Sequence, residues 1–157
     1  MRTFYPNLPR VVMVALERVA TKEGMLDAKQ IEQVPLFAGL DKRERARVAQ
    51  HADEIDVPEG KRLAREGDLA YEFFVIREGT ADVDVGGETK NKLGPDDFFG
   101  EIGVLEEERV RVATVTATSP MKLVVITGRD LRALSRDMPE VIDKLRSACY
   151  DRVRGTL

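Results

Sequence analysis

The stretch FFGEIGVLEEERVRVATV at 98–115 gathers residue types that can hold a phosphorylated ligand. Gly100 permits a tight turn out of a strand. The EIGVL that follows can form one helical turn, whose first unpaired N–H groups, around Ile102 and Gly103, would point at an anion. Glu101 at that same end is an acceptor for vicinal hydroxyls, and Arg111 opens the next strand as a fixed cation able to grip a phosphate through two parallel donors. A phosphate flanked by a ribose hydroxyl satisfies all three groups together. Taken singly, none is specific: the macrodipole alone favours a glutamate at a helix start, and an arginine at a strand end is usually solvated.

Other chemistries find little support. There is no G-x-S-x-G elbow and no H-E-x-x-H, so no catalytic residue is assigned and the chain is read as a non-enzyme. His51 sits in the helical stretch QHADE and reads as a surface or packing residue rather than a base. A single His51 and a single Cys149 cannot by themselves make a His/Cys metal site or an internal disulfide, which points to a reducing compartment and to no metal and no cofactor. Lys plus Arg number 25 against 28 Asp plus Glu, a net charge of -3, the opposite of a strongly basic nucleic-acid binder. The longest early apolar run, VVMVAL at 11–16, is shorter than a membrane span of about 18 residues or a signal h-region of about 7–15 requires, so no membrane segment and a cytoplasmic location are expected.

The elements that must position the 98–115 stretch are written in two grammars. With 157 residues the chain has room for one full-sized domain. Residues 1–30 read as an N-terminal helical segment, opened near Pro9 and stopped at Gly24, with Val11, Val12, Leu16 and Val19 on a wide apolar face. That face over 9–22 exposes more apolar surface than one helix hides on a small body, so it either forms a homodimer contact or docks against the terminal helices. A helical lead-in covers 31–52: a short helix starting at Asp27 with Ile31 and Val34 on one side, the tight PLFAGL at 35–40, and a helix from the capping tetrad Asp41 to Glu44 as far as about Ala52.

From Asp53 to Thr127 turn signals recur every 8–12 residues or so: PEG, EGD, REGT, GGE and LGPDD. Between them YEFFVI at 71–76, the strictly alternating ADVDV at 81–85, VATVTA at 112–117 and KLVVIT at 122–127 read as strands, the last buried on both faces. Thr127 with Asp130 opens a helix over 128–137, Pro139 interrupts it, and Val141, Ile142, Leu145, Ala148 and Val153 mark a final helix to Gly155. The fold class is α+β, mainly β: an antiparallel β-roll or jelly roll of about eight strands flanked by N-terminal helices and two C-terminal helices.

On these residues the chain resembles the cyclic nucleotide-binding domains of kinase regulatory subunits, nucleotide-gated channels and catabolite-activator-type transcription regulators. The likeness covers roughly residues 31–155, from PLFAGL to the paired terminal helices, in a domain taken as 31–157, and its most specific element is the phosphate-binding cassette. The resemblance implies that Glu101, following Gly100, binds the ribose 2′-hydroxyl. It implies that the backbone N–H groups of Ile102, Gly103 and Val112 bind the cyclic phosphate, that Arg111, aligned through R-x-A-T-V, grips it, and that Ala113 lies at the pocket wall. The ligand implied is cAMP, with cGMP second because Val112 lacks the hydroxyl that the family's cGMP binders place after the cassette arginine. A protein effector would receive the signal through movement of the terminal helices about Pro139, with Leu145, Ala148 and Tyr150 nearest the base. Tyr150 reads either as a lid over the purine or as packing against the roll. The helix-turn-helix that the transcription regulators carry does not follow, so no DNA-binding domain is expected in this chain.

The cassette departs from the family in two ways. The loop EEERV is one residue longer than the usual turn to the arginine, which leaves Arg109 as an alternative to Arg111, though only Arg111 keeps A-T-V in register. Glu106, Glu107 and Glu108, each at about 8 Å from a phosphate, would each repel it by roughly 0.5–2 kcal/mol. The alternative function is therefore a scaffold or interaction module that keeps the roll and no longer binds nucleotide.

Overall fold

The computed structural model describes residues 26–69, 72–100 and 110–155, with side chains to Ala148. The opening helix expected over 9–24 lies outside the described residues, as does its apolar face. Two reciprocal capping boxes start the helices that follow. In α1 (Ala28–Glu32) the Asp27 carboxylate accepts from the Gln30 N–H at 2.9 Å and the Gln30 side chain accepts from the Asp27 N–H at 2.9 Å. In α2 (Lys42–His51) Asp41 and Glu44 exchange the same pair of bonds at 2.8 and 2.9 Å. Between them Pro35–Phe37 forms a single 3-10 turn, with Pro35 at its start, where a missing N–H is harmless.

Among the described residues eight strands follow: β1 (Asp53–Val57), β2 (Arg62–Ala64), β3 (Glu72–Glu78), β4 (Ala81–Val85), β5 (Glu88–Leu93), β6 (Phe98–Phe99), β7 (Thr114–Ala117) and β8 (Met121–Thr127). They make two antiparallel four-stranded sheets, ordered β1-β8-β3-β6 and β2-β7-β4-β5, so the mainly β roll expected from the turn spacing is the fold observed. The described residues end in two helices, α3 (Gly128–Asp137) and α4 (Pro139–Gly155). At the head of α3 the Thr127 hydroxyl accepts from the Asp130 N–H at 3.2 Å and donates to the Asp130 carboxylate at 2.9 Å. Among the described residues no helix is long and apolar enough to cross a membrane.

Strands β3 and β8 are buried on both faces and separate two apolar clusters. Phe73, Val75, Val124 and Ile126 pack with the helices, against Ile31, Phe37, Val48, Leu131, Leu134 and Leu145. Their alternating neighbours Phe74, Ile76, Leu123 and Val125 face the roll interior with Ile55, Leu63, Ala81 and Val115. The buried double face of KLVVIT is thus explained: each side of the strand has its own core.

Two strand limits differ from the sequence reading. β3 begins at Glu72 and runs on to Glu78, two residues beyond the apolar run, because its pairing with β8 continues through a bulge between Ile76 and Glu78. β7 begins at Thr114, so Arg111, Val112 and Ala113 precede the strand. The backbone of Arg111 is taken up elsewhere: its N–H donates to the Asp68 carbonyl at 2.7 Å, and its own carbonyl accepts from the Gly67 N–H at 2.9 Å.

Candidate functional site

Three pieces of chain converge where β6 ends. β6 pairs with β3 through Phe74 with Phe99 and Val75 with Phe98, which brings Gly100 against the first residue of β3. The Arg111 segment arrives from the other side, pinned to the 65–69 turn by the two backbone bonds above and by the single bridge between Leu69 and Val110. Gly100 has φ +88°, a region L side chains avoid, and a Cβ there would stand 2.5 Å from the Glu72 carbonyl oxygen and 2.6 Å from Arg111 Nη1. Only glycine lets the guanidinium and the β3 backbone lie this close.

The guanidinium is buried, with 7% of the side chain exposed, and Nη2 donates twice to one residue. It reaches the Glu72 carbonyl at 2.8 Å and Glu72 Oε1 at 2.7 Å. Glu72 is more deeply buried still, and its second oxygen, Oε2, has no hydrogen-bond partner among the described residues. Burial pushes the Glu72 carboxyl up to about 7, against the pull of Arg111, which favours the charged form through its charge and its hydrogen bond. Beyond Arg111 the chain turns outward: Val112 is 81% exposed and Ala113 is half-buried. A buried cation beside an open apolar residue suits a ligand with an anionic end and a flat, weakly polar end.

Of the residues singled out in the sequence, Gly100 and Arg111 are therefore brought together, with Val112 and Ala113 immediately beyond. Glu101, Ile102 and Gly103, together with the three glutamates at 106–108 and Arg109, lie outside the described residues, as does the side chain of Tyr150. His51 is engaged away from this cluster, its Nδ1 3.0 Å from Asp130 Oδ1 between α2 and α3. Leu145 is fully buried in the helical cluster and Ala148 packs against it, so in this structure α4 turns both toward the helices. No group of three His, Cys, Asp or Glu among the described residues could hold a metal ion.

Glu72 is the residue that sequence reading missed. Its signal was present: it is the lone charge in YEFFVI, an otherwise apolar strand, and a carboxylate in such a place needs a buried cation. What no local pattern supplies is the partner, 39 residues away.

Comparison with known proteins bears on the whole arrangement. The family model for the cyclic nucleotide-binding domain matches residues 54–137, over half of the chain. The cAMP-dependent protein kinase regulatory subunit of Schizosaccharomyces pombe is 30% identical over 149 residues, covering 88% of this chain and 35% of that protein. Among solved structures, the N-terminal domain of a transcriptional regulator from Streptomyces coelicolor A3(2) superposes with a TM-score of 0.64 at 28% identity, over 80% of this chain and 91% of that one. The catabolite activator protein of Thermus thermophilus gives a TM-score of 0.64 at 29% identity, over 78% of this chain and 59% of that one. The chain spans about a third of the length of the curated relatives it matches.

Proposed function

This chain belongs to the cyclic nucleotide-binding domain family, and on that premise we propose that it is a sensor that binds a cyclic purine monophosphate, cAMP in preference to cGMP, and passes the signal to a protein effector. The binding unit is taken as residues 31–157, with a helical segment before it. The observation that carries the reading is the placement of Arg111, buried beside Gly100 at the end of β6 and held there by backbone bonds to the 65–69 turn. That is a cation fixed in direction before any ligand arrives, so little ordering is lost when a phosphate docks.

In this proposal the Arg111 guanidinium holds the cyclic phosphate together with the N–H groups of Ile102, Gly103 and Val112. Glu101 accepts from the ribose 2′-hydroxyl, and the exposed Val112 with Ala113 offers an apolar wall to the base. The relay runs through α4, whose Leu145 and Ala148 are packed on the helical cluster in this structure and whose junction with α3 at Met138 and Pro139 already interrupts the helix ladder.

Calorimetric titration with cAMP tests the reading. Wild type should bind, and Arg111→Ala should weaken binding by on the order of 2–5 kcal/mol, because the phosphate would lie in a dry site without its counter-charge. Absence of heat from wild type at millimolar nucleotide would replace the reading with the scaffold alternative. That alternative draws on one observation: Glu72 already supplies Arg111 with an anion.

A further inference from the structure

We propose that Glu72 shares the Arg111 guanidinium with the ligand, and that capture of a phosphodiester by Arg111 is accompanied by uptake of one proton on Glu72, so that nucleotide binding weakens as the pH rises through neutrality. The inference rests on the cyclic-nucleotide reading above.

The geometry supplies the argument. Glu72 Oε1 and the Glu72 carbonyl both sit on Nη2, so a phosphate must approach the same guanidinium through its remaining donors, with Nη1 on the Gly100 side. Two anions on one guanidinium lie about 5 Å apart, and at an effective dielectric of about 20 their repulsion raises the proton affinity of the carboxylate by roughly a hundredfold. The carboxyl can meet this demand because burial, even against the pull of Arg111, brings it to about 7. Protonation also removes the charge from Oε2, a buried oxygen with no donor to stabilise it among the described residues, while Oε1 keeps its bond from Nη2. Arg111, no longer neutralised by its neighbour, then offers its whole charge to the ligand.

No other described charge competes for this role. The strand beside β3 in the sheet places Thr127 of β8 opposite Glu72, and β6 contributes Phe98, Phe99 and Gly100, none of them titratable. The segment packed across them contributes Arg111. The turn that holds Arg111 carries Arg65, Glu66 and Asp68, all exposed to solvent.

The test is calorimetric titration of the full chain with cAMP between pH 6 and 8.5, in two buffers of different ionisation enthalpy, which counts protons exchanged per nucleotide. Between pH 6.5 and 8.5 the Kd should rise about tenfold or more, with close to one proton taken up near pH 8. Glu72→Gln keeps an acceptor for Nη2 and removes the titration, so it should bind with a pH-independent Kd and no uptake. Should that variant fail to fold, the wild-type proton count decides alone. Binding whose Kd changes less than twofold across the range, or a Gln variant with the wild-type slope, would overturn the proton linkage and leave the cyclic-nucleotide reading standing. No binding at any pH would overturn both.

Discussion

Gly100→Ala probes the site with a single methyl group. At φ +88° an alanine carries backbone strain of about 1–3 kcal/mol. The added Cβ would also stand 2.5 Å from the Glu72 carbonyl oxygen, a backbone atom at the start of a central strand with little room to retreat, and overpacking of this kind costs about 1–3 kcal/mol more. Together these predict a loss of about 2–6 kcal/mol, which for a chain of this size lowers the melting temperature by about 5–20 °C. The second contact, 2.6 Å to Arg111 Nη1, is relieved differently: the guanidinium is the far end of a long side chain and swings away, so nucleotide affinity falls as well. Scanning calorimetry of the ligand-free protein reads the first effect and titration with cAMP the second. Gly39→Ala is the control, since a Cβ there meets nothing within 4 Å and its backbone is unstrained; its melting point should stay within about 2 °C of wild type. A Gly100→Ala protein with wild-type melting temperature and wild-type affinity would refute the argument that this glycine is what lets Arg111 reach β3.

Other expectations follow from the same cluster of residues. The Glu72 carboxyl is raised from 4.5 to about 7 on folding, so the folded state holds its proton more tightly. The associated stability is fully present below about pH 4.5 and is lost as the pH rises through 7, on the order of 3 kcal/mol; melting of ligand-free wild type between pH 4.5 and 8 should fall more steeply than that of Glu72→Gln, and equal slopes would count against it. Val112→Thr, at a position 81% exposed, should raise cGMP affinity relative to cAMP severalfold in competition binding, and wild-type protein that prefers cGMP would contradict the base assignment. Amide exchange over residues 140–154 should change on nucleotide binding as well as over 99–115; protection confined to the second segment would mean a site without a helix relay.

What the sequence could disclose depended on how far each interaction reaches along the chain. The Asp41 to Glu44 box is a matter of three residues and was legible as a helix start. KLVVIT announced burial on both faces by having no polar alternation, and β8 has a core on each side. The site was legible in part: Gly100 and Arg111 stood out by type and spacing, and they do meet. The start of β7 is not legible because Val112 and Ala113 continue an apolar, strand-like run into Thr114, whereas the preceding Arg111 backbone bonds to Asp68 and Gly67, more than forty positions earlier. Glu72 is hidden from local patterns for a similar reason. Its charge is explained only by a cation that folding brings across from another strand edge.

The pairing of β1 with β8 governs how the molecule can assemble. Asp53 and Val125 are opposite each other, so the chain enters and leaves the roll at one place. A roll formed from its own contiguous segment therefore delivers the two helical flanks side by side. His51 and Asp130, 79 residues apart along the chain, are then near neighbours, and the entropy of closing that large loop has already been spent on the sheet. The helical layer meets almost no search of its own: it can condense quickly once the strands are in register, and only slowly before. In kinetic terms the strands are expected to form the nucleus and the helices a late, fast-closing clasp. Truncating Leu123 or Val125 should thus slow refolding, whereas truncating Leu134 or Leu145 should mainly hasten unfolding.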